Sequence, residues 1–555
     1  MSDLLNKASL VVIPSGYKED TVYSVVPSDG SGDLSFTRAS NGTRVNSAGL
    51  VEVCPWNLLE YSEEFNNAAW TKQQSSITAN ATTAPNGTST ADKLVEDTSN
   101  SVHRMFNNSA VAVSTSDGTT YSFYLKSAGR TRAWVRDNDI VGALFNLANG
   151  TIVSTEGTAT ATITSAGDGW YRCTMTRVNS NGNGRISVYL DNGTSDSYTG
   201  NGTDGVFIWG AQLNIGSTAK PYFPTTDRLN VPRLTYQNGG GGCPSLLLEK
   251  QSTNLVYPSE DFSPWNLFNS ATISTNTTIS PDGTQNADTL NFASSAISQV
   301  FSNQGDGTNT AHTVSIYAKS SSGKKFRIKI ANSTTGGDEF SSNLTTTNDW
   351  QRFDFTFTCP VTHIAICNES SGGTGTIQIW GAQLEASSYP TSYIPTTSSS
   401  ATRVADACFK TGISSLIGQT SGTFFVQWIN LNNDLSNLIE TYNSASGITG
   451  TSSILIQKSA NNQLNIRVFD SLGNYGDAFS VTMPIGTNKV ALAYEPGAAI
   501  MYLNGVAIGS NSRTYVFGST RDSIAFDNRG SYARSEVIIF PTRLTNAELA
   551  SLTTI

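Results

Sequence analysis

Charged residues and histidines are scarce in this sequence. Charged residues make up 14% of its 555 residues, against about 25% in an average globular domain. The formal net charge is −9 and there is no Lys/Arg cluster, which argues against a nucleic-acid-binding protein. The only histidines are His103, His312 and His363. The sequence therefore supports neither a Ser-His-Asp arrangement nor a zinc cluster.

Long apolar runs are also missing. The stretch Met1–Leu10 has no apolar core of signal-peptide length. No apolar run approaches the roughly 18 residues of a membrane-spanning helix. We therefore expect a soluble protein that is not exported by the usual secretion route and does not insert into a membrane.

The cysteines lack any metal-ligand spacing. We interpret them as reduced, small and mostly buried residues. Cys359 and Cys367 are predicted on neighbouring strands, and a disulfide between them is the minor alternative. The six positions are Cys54, Cys173, Cys243, Cys359, Cys367 and Cys408.

One domain is present twice in the chain. Most of residues 57–213 is repeated in residues 254–384, with the same landmarks in the same order. Each copy opens with an Asn-Leu…Ser-Glu-(Glu/Asp)-Phe peptide and closes on Trp-Gly-Ala-Gln-Leu, at 209–213 and 380–384. The intervening matches are Trp70 with Trp265, Pro85–Leu94 with Pro281–Leu290, Ser122–Ser127 with Ser315–Ser320, and Trp170–Arg172 with Trp350–Arg352.

The sequence predicts an all-β protein. Many short apolar or alternating segments, with turn residues about every ten positions, are typical of β-sandwiches. We predict three tandem jelly-roll-like β-sandwich domains after a short extended N-terminal segment. The third module contains a predicted hairpin at Ile500–Ile508 and a predicted helix at Leu544–Leu552. The predicted divisions are 1–55 (N-terminal docking segment), 56–227 (copy 1), 228–253 (Gly-rich connector), 254–398 (copy 2) and 399–555 (third module).

The N-terminal segment is too short to bury its own apolar runs, Ser9–Ile13 and Thr21–Val26. It must lie on its neighbour, on a sister chain or on a docking partner. Pieces of its last part recur at each domain junction, as Arg44-Val45-Asn46, Arg228-Leu229-Asn230 and Arg403-Val404-Ala405-Asp406. The Gly239–Gly242 run lacks the context of a phosphate-binding loop and is interpreted as a joint.

Two groups of motifs resemble known families. The peptide Phe36-Thr-Arg-Ala-Ser…Thr43-Arg-Val-Asn…Gly49-Leu-Val-Glu52, with the openings and closings of the two copies, is similar to fibre and appendage proteins of tailed bacteriophages. In that family, carbohydrate-binding-like sandwiches are combined with laminin-G-like ends. The third module, with Lys489–Tyr494, Tyr502–Val506 and the closing helix, resembles a concanavalin A-like/laminin-G-like jelly roll.

The resemblance implies a structural protein at the virion surface, a head (capsid) or tail fibre or appendage made in the cytoplasm of a bacterial host. Residues 1–55 would contact other virion proteins, and the chain would form a closed homo-oligomer, with a trimer preferred by analogy. Host surface glycans are further candidate partners. The alternative is a dedicated glycan-binding host-recognition adhesin, and a polysaccharide-degrading enzyme is the third hypothesis.

The residues argue against an enzyme, and we assign no catalytic, cofactor-binding or metal residues. Paired carboxylates would serve a glycosidase, but every candidate occurs in both copies, which favours a role in the fold. The same reasoning favours core positions over glycan contact for the four repeated tryptophans. No spaced acidic loop specifies calcium. The candidates are the carboxylates Glu63, Glu64, Asp92, Glu260, Asp261 and Asp288, the rings Trp70, Trp170, Trp265 and Trp350, and the calcium ligands Asp434, Asp470 and Asp527.

Overall fold

The computed structural model describes most of the chain as two compact units. One unit comprises Met1–Cys54 together with Leu229–Ile555, and the other comprises Pro55–Arg228. The described residues are 2–108, 111–113, 118–137, 140–177, 182–236, 240–294, 296–332, 336–430, 436–447, 452–459, 463–479, 481, 483–526 and 531–555.

The N-terminal segment holds one short helix and six short strands. The strands β5 and β6 form a hairpin in which Arg44 lies opposite Glu52. The elements are α1 Ser2–Leu5, β1 Leu10–Val12, β2 Tyr17–Lys18, β3 Thr21–Val22, β4 Leu34–Thr37, β5 Gly42–Val45 and β6 Val51–Cys54.

Copy 1 is a sandwich of two antiparallel six-stranded sheets. Alternate side chains of the two sheets meet in one core that includes Phe65, Trp70 and Phe123. Its strands are β7 Trp70–Gln73, β8 Ser75–Thr82, β9 Ala91–Glu96, β10 Asn100–Val102, β11 Arg104–Asn107, β12 Val111–Val113, β13 Thr119–Ala128, β14 Arg132–Asp137, β15 Val141–Asn146, β16 Thr151–Glu156, β17 Ala159–Gly167, β18 Trp170–Arg177, β19 Gly182–Gly184, β20 Ile186–Asp191, β21 Ser197–Thr199 and β22 Gly205–Ile215. One sheet has the order β17-β18-β13-β22-β9-β8 and the other β16-β15-β14-β20-β11-β7.

Copy 2 follows three strands that join it to the rest of its unit. These are β23 Arg233–Thr235, β24 Ser245–Glu249 and β25 Ser252–Asn254. The strands of copy 2 are β26 Asn266–Phe268, β27 Thr272–Thr278, β28 Ala287–Phe292, β29 Gln299–Ser302, β30 Ala311–Lys319, β31 Lys325–Asn332, β32 Asp338–Phe340, β33 Leu344–Thr345, β34 Gln351–Thr358, β35 Val361–Asn368 and β36 Gly375–Glu385.

The duplication in the sequence is a duplication of the fold. Copy 2 has the sheet orders β27-β28-β36-β30-β34 and β26-β29-β35-β31-β32. Each reproduces five consecutive positions of the corresponding order in copy 1, and no strand in the described part of copy 2 takes the place of β16 or β17. Trp209 on β22 and Trp380 on β36 occupy equivalent strands. Strand β22 pairs with β13, and β36 pairs in the same way with β30.

The described part of the third module contains twelve strands, one 3₁₀ turn and one α-helix. They are β37 Ala401–Arg403, β38 Ala407–Lys410, the 3₁₀ turn Ser414–Leu416, β39 Gly422–Asn430, β40 Ser436–Tyr442, β41 Ser453–Lys458, β42 Leu464–Asp470, β43 Gly473–Phe479, β44 Gly486–Glu495, β45 Ala498–Leu503, β46 Val506–Asn511, β47 Ser523–Phe526, β48 Ser531–Phe540 and α2 Asn546–Thr553. The all-β, multi-sandwich fold class predicted from the sequence is confirmed.

Two local predictions for the third module are also confirmed. The β45–β46 hairpin turns at Asn504 and Gly505, whose φ angles of 49° and 85° suit a type I′ turn. The helix α2 begins with a capping box between Thr545 and Glu548. Leu549 and Leu552 on this helix are buried.

Strands from upstream complete the third sandwich. Strand β1 pairs with β48 along Leu10–Val12, and β24 pairs with another part of the same strand. Strand β4 pairs with β38 in the opposite sheet. As a result, Leu10, Phe36, Leu248 and Trp428 share one hydrophobic core.

The strand edges of residues 1–55 are therefore used within the chain. Of the three positions open to this segment, the structure shows pairing within the same chain, with strands β48 and β38 of the third module far along the sequence. Residues 228–253, predicted as a connector, likewise contribute the buried strands β23 and β24. Gly239 of the predicted joint lies outside the described residues.

Candidate functional site

The carboxylates suggested by the sequence fasten loops to strands. Asp92 accepts hydrogen bonds from the backbone N–H groups of Phe65 and Asn80, at 3.0 and 2.9 Å. Asp288 does the same for the corresponding pair in copy 2, at 2.9 and 2.9 Å. Burial raises the pKa of both carboxyls, although these hydrogen bonds oppose the shift. Their repetition in the sequence reflects the fold.

The remaining candidate carboxylates fall into two kinds. Glu63 and Glu260 each accept a hydrogen bond from a tyrosine hydroxyl of their own copy, Tyr222 at 3.0 Å and Tyr393 at 3.1 Å. Burial raises the pKa of Glu63. The residues that follow them, Glu64 and Asp261, are exposed.

Three of the four repeated tryptophans are core residues. Trp70 and Trp265 are buried in the cores of copy 1 and copy 2. Trp170 is buried in a smaller cluster of copy 1. Trp350 is half-buried, and its indole N–H donates to the carbonyl oxygen of Ile279 at 2.9 Å.

Each copy has a three-ring aromatic cluster behind the Trp-Gly-Ala-Gln-Leu peptide. In copy 2 the ring of Trp380 lies 5.4 Å from that of Tyr317 and 4.7 Å from that of Tyr393. A bulge in the pairing of β30 with β36 places Gly381 at a φ of 66°. A Cβ there would lie 3.2 Å from Tyr317 and 3.3 Å from Tyr393, so a glycine allows the rings to pack.

An open cleft of about 440 Å³ lies beside this cluster in copy 2. Its walls come from β30, β34 and the exit loop of copy 2, from the β5–β6 hairpin, and from β23 and β24. Four of its side chains are tyrosines, and the rest are mainly polar. The lining residues are Thr43, Arg44, Val45, Val51, Thr235, Tyr236, Leu247, Glu249, Tyr317, Arg352, Asp354, Ser388, Tyr389, Pro390, Thr391, Ser392 and Tyr393.

Arg352 and Asp354 bring charge to the copy 2 wall, two residues apart on one face of β34. The guanidinium of Arg352 donates to the carbonyl oxygen of Thr391 at 2.6 Å and to the hydroxyl of Ser315 at 2.9 Å. It also lies 5.5 Å from the ring centre of Tyr317. These contacts fix its orientation. Asp354 is exposed.

A buried ion network supports the wall formed by β24. Glu249 binds the guanidinium groups of Arg233 at 2.8 Å and Arg403 at 3.0 Å. Asp406 binds Arg233 at 2.5 Å and Arg38 at 2.9 Å. All five side chains are buried, so the network joins the N-terminal segment, the strands β23 and β24, and the start of the third module.

The network determines the ionisation of Glu249. Burial by itself raises the pKa of this carboxyl, but the nearby Arg403 and Arg233 lower it well below its usual value. Glu249 also accepts hydrogen bonds from the backbone N–H and the hydroxyl of Ser392, at 2.8 and 2.6 Å. Because its oxygens are occupied, this carboxylate positions the cleft wall.

The structure tests the cysteine and calcium expectations only in part. All six cysteines are free, and Cys243 alone is exposed, so Cys359 and Cys367 are not paired. Asp434 and Asp527 lie outside the described residues. Asp470 accepts hydrogen bonds from the backbone N–H groups of Leu472 and Val516. No metal-ligand cluster of three or more His, Cys, Asp or Glu occurs among the described residues.

The sequence reasoning missed Asp354 and Tyr389. The signal that would have found Asp354 is a difference between the copies: it pairs with Ser315, whereas Thr174 pairs with the equivalent Ser122. Tyr389 lies in the copy 2 exit loop, where the matching segment of copy 1 has Thr218. Neither residue is repeated in copy 1, so the match between the two copies does not reveal them.

No family model matches the chain. No curated protein matches it either. In the described part of the chain, no helix is long and apolar enough to cross a membrane.

Several solved structures are similar to part of the chain. The CBM40 of the Ruminococcus gnavus IT-sialidase, bound to α2,3-sialyllactose, is 12% identical over 26% of this chain and 86% of its own, with a TM-score of 0.23. The NanB sialidase of Streptococcus pneumoniae is 14% identical over 25% of each chain, with a TM-score of 0.23. Domain 4 of AbnA, an extracellular arabinanase of Geobacillus stearothermophilus, bound to arabinotriose, is 16% identical over 30% of this chain and 82% of its own, with a TM-score of 0.22.

Proposed function

We propose that the protein is a non-enzymatic glycan-binding protein whose copy 2 cleft holds a saccharide. The observation that carries this proposal is the cleft itself, about 440 Å³ in volume and lined by four tyrosines, Arg352 and Asp354. Its volume lies within the roughly 300–1,000 Å³ range of small-molecule sites.

The residue types suit a saccharide. Tyr236 and Tyr317 are half-buried, and a tyrosine ring has an apolar face for the C–H groups of a pyranose and a hydroxyl for hydrogen bonding. Tyr389 and Tyr393 are buried and support the wall. Arg352 donates hydrogen bonds in a fixed fork, and the carboxylate of Asp354 accepts them from sugar hydroxyls. Because Arg352 is already held by Thr391 and Ser315, little side-chain entropy is lost when a ligand binds.

Binding without cleavage is the better-supported chemistry for this cleft. Glycosidases of the common classes place two carboxyl groups about 5–9.5 Å apart, one as acid and one as nucleophile or base. Among the described residues lining the cleft, the acids are Asp354 and Glu249. Glu249 is engaged by two guanidinium groups and Ser392, so it is poorly suited to exchange protons with a substrate.

We further propose that the protein works on the surface of a bacteriophage particle, as a head or tail fibre or appendage made in the bacterial cytoplasm. The support is the resemblance of its junction peptide and of the openings and closings of its two copies to that family. The same resemblance favours a homo-oligomer, with a trimer preferred. Because the strands of residues 1–55 pair within the chain, contacts with other virion proteins would use exposed side chains of this segment, such as Tyr23 and Val25.

The glycan proposal is tested by screening the full-length protein on a glycan array and measuring affinity for the tightest ligand by calorimetry. Asp354→Thr introduces the residue of copy 1 on an exposed strand position. Loss of hydrogen bonds to a charged group costs about 1.5–3 kcal/mol, so we expect binding to weaken by about 10- to 100-fold.

Asp261→Thr is the matched control, since Asp261 is an exposed acid of copy 2 outside the cleft. It should leave the affinity unchanged. Equal affinity in the wild-type protein and Asp354→Thr would refute this site. Sustained release of reducing sugar that Asp354→Thr abolishes would refute the non-enzymatic function.

A further inference from the structure

The aromatic cluster of copy 2 is covered by the β5–β6 hairpin of the same chain. Val51 packs in one cluster with Trp380 and Tyr393. Its backbone N–H donates to the carbonyl oxygen of Pro281 at 2.9 Å. The hydroxyl of Thr43 donates to the carbonyl oxygen of Tyr393 at 2.5 Å. The hairpin therefore binds copy 2 through apolar contact and two hydrogen bonds to main-chain carbonyls.

The turn after Pro281 receives the tip of the hairpin. Gly283 has a φ of 88°, and a Cβ built on it would lie 2.9 Å from a methyl group of Leu50. Leu50 and Val51 thus make apolar contacts with copy 2. Since Gly283 has no side chain, Leu50 can approach the turn closely.

Copy 1 presents the same surface. Its Trp209 and Tyr222 rings are 4.8 Å apart, against 4.7 Å for Trp380 and Tyr393. Gly87 has a φ of 86°, the counterpart of 88° at Gly283. The residues that contact the hairpin in copy 2 thus have conformational matches in copy 1.

The copy 1 surface is open where the copy 2 surface is covered. A Cβ built on Gly87 meets no atom within 4 Å. Pro85 is half-buried where Pro281 is buried, and Tyr222 is half-buried where Tyr393 is 3% exposed. Among the described residues of the unit 55–228, no segment packs on this cluster as Val51 packs on copy 2.

We propose that this face of copy 1, formed by Pro85, Gly87 and Tyr222 above the buried ring of Trp209, is a docking site for a β-hairpin of another protein. The occupant is defined by the hairpin on copy 2. It carries two consecutive apolar residues in the positions of Leu50 and Val51, and a hydroxyl residue in the position of Thr43. This chain's own β5–β6 hairpin is already bound to copy 2, so the hairpin comes from a partner of different sequence.

The proposal is tested with full-length protein and a head-to-tail cyclised peptide of residues 41–55, carrying Cys54→Ser and verified as a hairpin by NMR. Fluorescence anisotropy of the labelled peptide measures binding. We expect one site per chain. A second peptide with Leu50→Ser and Val51→Ser should bind at least tenfold more weakly.

The location of the site is tested with Gly87→Asn. Asparagine tolerates the left-handed backbone. Its side chain would fill the space above residue 87 that corresponds to the space Leu50 occupies above Gly283 in copy 2. We expect at least a tenfold loss of peptide binding. Gly193→Asn is the control, because Gly193 also has a positive φ, 100°, and open space around it, and lies in a different turn of copy 1. It should bind the peptide normally.

Three outcomes would overturn the proposal. The first is a folded peptide that fails to bind at millimolar concentration. The second is peptide binding that Gly87→Asn leaves unchanged, because the peptide would then be displacing the chain's own β5–β6 hairpin from copy 2 and not binding copy 1. The third is self-association of the full chain that Gly87→Asn abolishes, since the occupant would then be a second copy of this chain.

Discussion

Replacing Glu249 with glutamine should destabilise one unit of the protein selectively. The substitution keeps the shape of the side chain and removes its charge. Arg403 then has no carboxylate partner within the network, and Arg233 keeps only Asp406. Both guanidinium groups are essentially inaccessible to water, so their charge is not compensated by solvent.

The expected cost is about 3–5 kcal/mol, the usual result of removing one partner from a buried ion pair. For large domains, each kcal/mol lowers the melting temperature by about 2 °C. We therefore expect the calorimetric transition of the unit that contains Glu249 to fall by about 6–10 °C.

The matched control is Glu96→Gln in the other unit. Glu96 is equally buried and binds Arg130 at 2.5 Å and the hydroxyl of Tyr198 at 2.6 Å. Differential scanning calorimetry of the full chain should show each variant lowering a different transition. The reasoning is refuted if Glu249→Gln lowers its transition by less than about 2 °C, or if both variants lower the same one.

Two further predictions concern the same unit. The pKa of Glu249 is lower in the folded protein than the unfolded value of about 4.3, so its contribution to stability is complete above that pH and is lost as the pH falls through the lower, folded value. Between about pH 5 and pH 3, the upper part of that titration, the melting temperature of this unit should therefore decline less steeply in Glu249→Gln than in the wild-type protein. Parallel curves would contradict the assignment. Leu10→Ala should lower the free energy of unfolding by about 2–5 kcal/mol because Leu10 is fully buried in the third sandwich. Val25→Ala, at a side chain that is 47% exposed, should change the free energy of unfolding by less than about 0.5 kcal/mol. Equal effects in urea titrations would mean that the N-terminal segment is not part of that core.

The sequence predicted the repeated elements well because they depend on local patterns. The Trp-Gly-Ala-Gln-Leu peptides revealed the duplication, and the central strands β22 and β36 carry them. Asn504-Gly505 suits a type I′ hairpin turn, and a cap at Thr545 or Asn546 with Glu548 in the first turn indicates the start of a helix. Each of these features needs only neighbouring residues.

Long-range pairing could not be predicted in the same way. Nothing local to Leu10–Val12 indicates that its partner is Val537–Ile539, more than 500 residues later. Arg233, Arg403 and Asp406 occur in or near the repeated junction peptides, but only the folded chain brings them together around Glu249. The cleft was missed for the same reason, since its walls come from stretches that are far apart in the sequence.

Glycan binding in the copy 2 cleft is tested most directly by a crystal structure of the full-length protein with the tightest-binding saccharide from the array. The account predicts intact saccharide beside Tyr236 and Tyr317, with hydrogen bonds from Arg352 and to the carboxylate of Asp354. A saccharide bound elsewhere on the molecule, with none in the cleft, would contradict it.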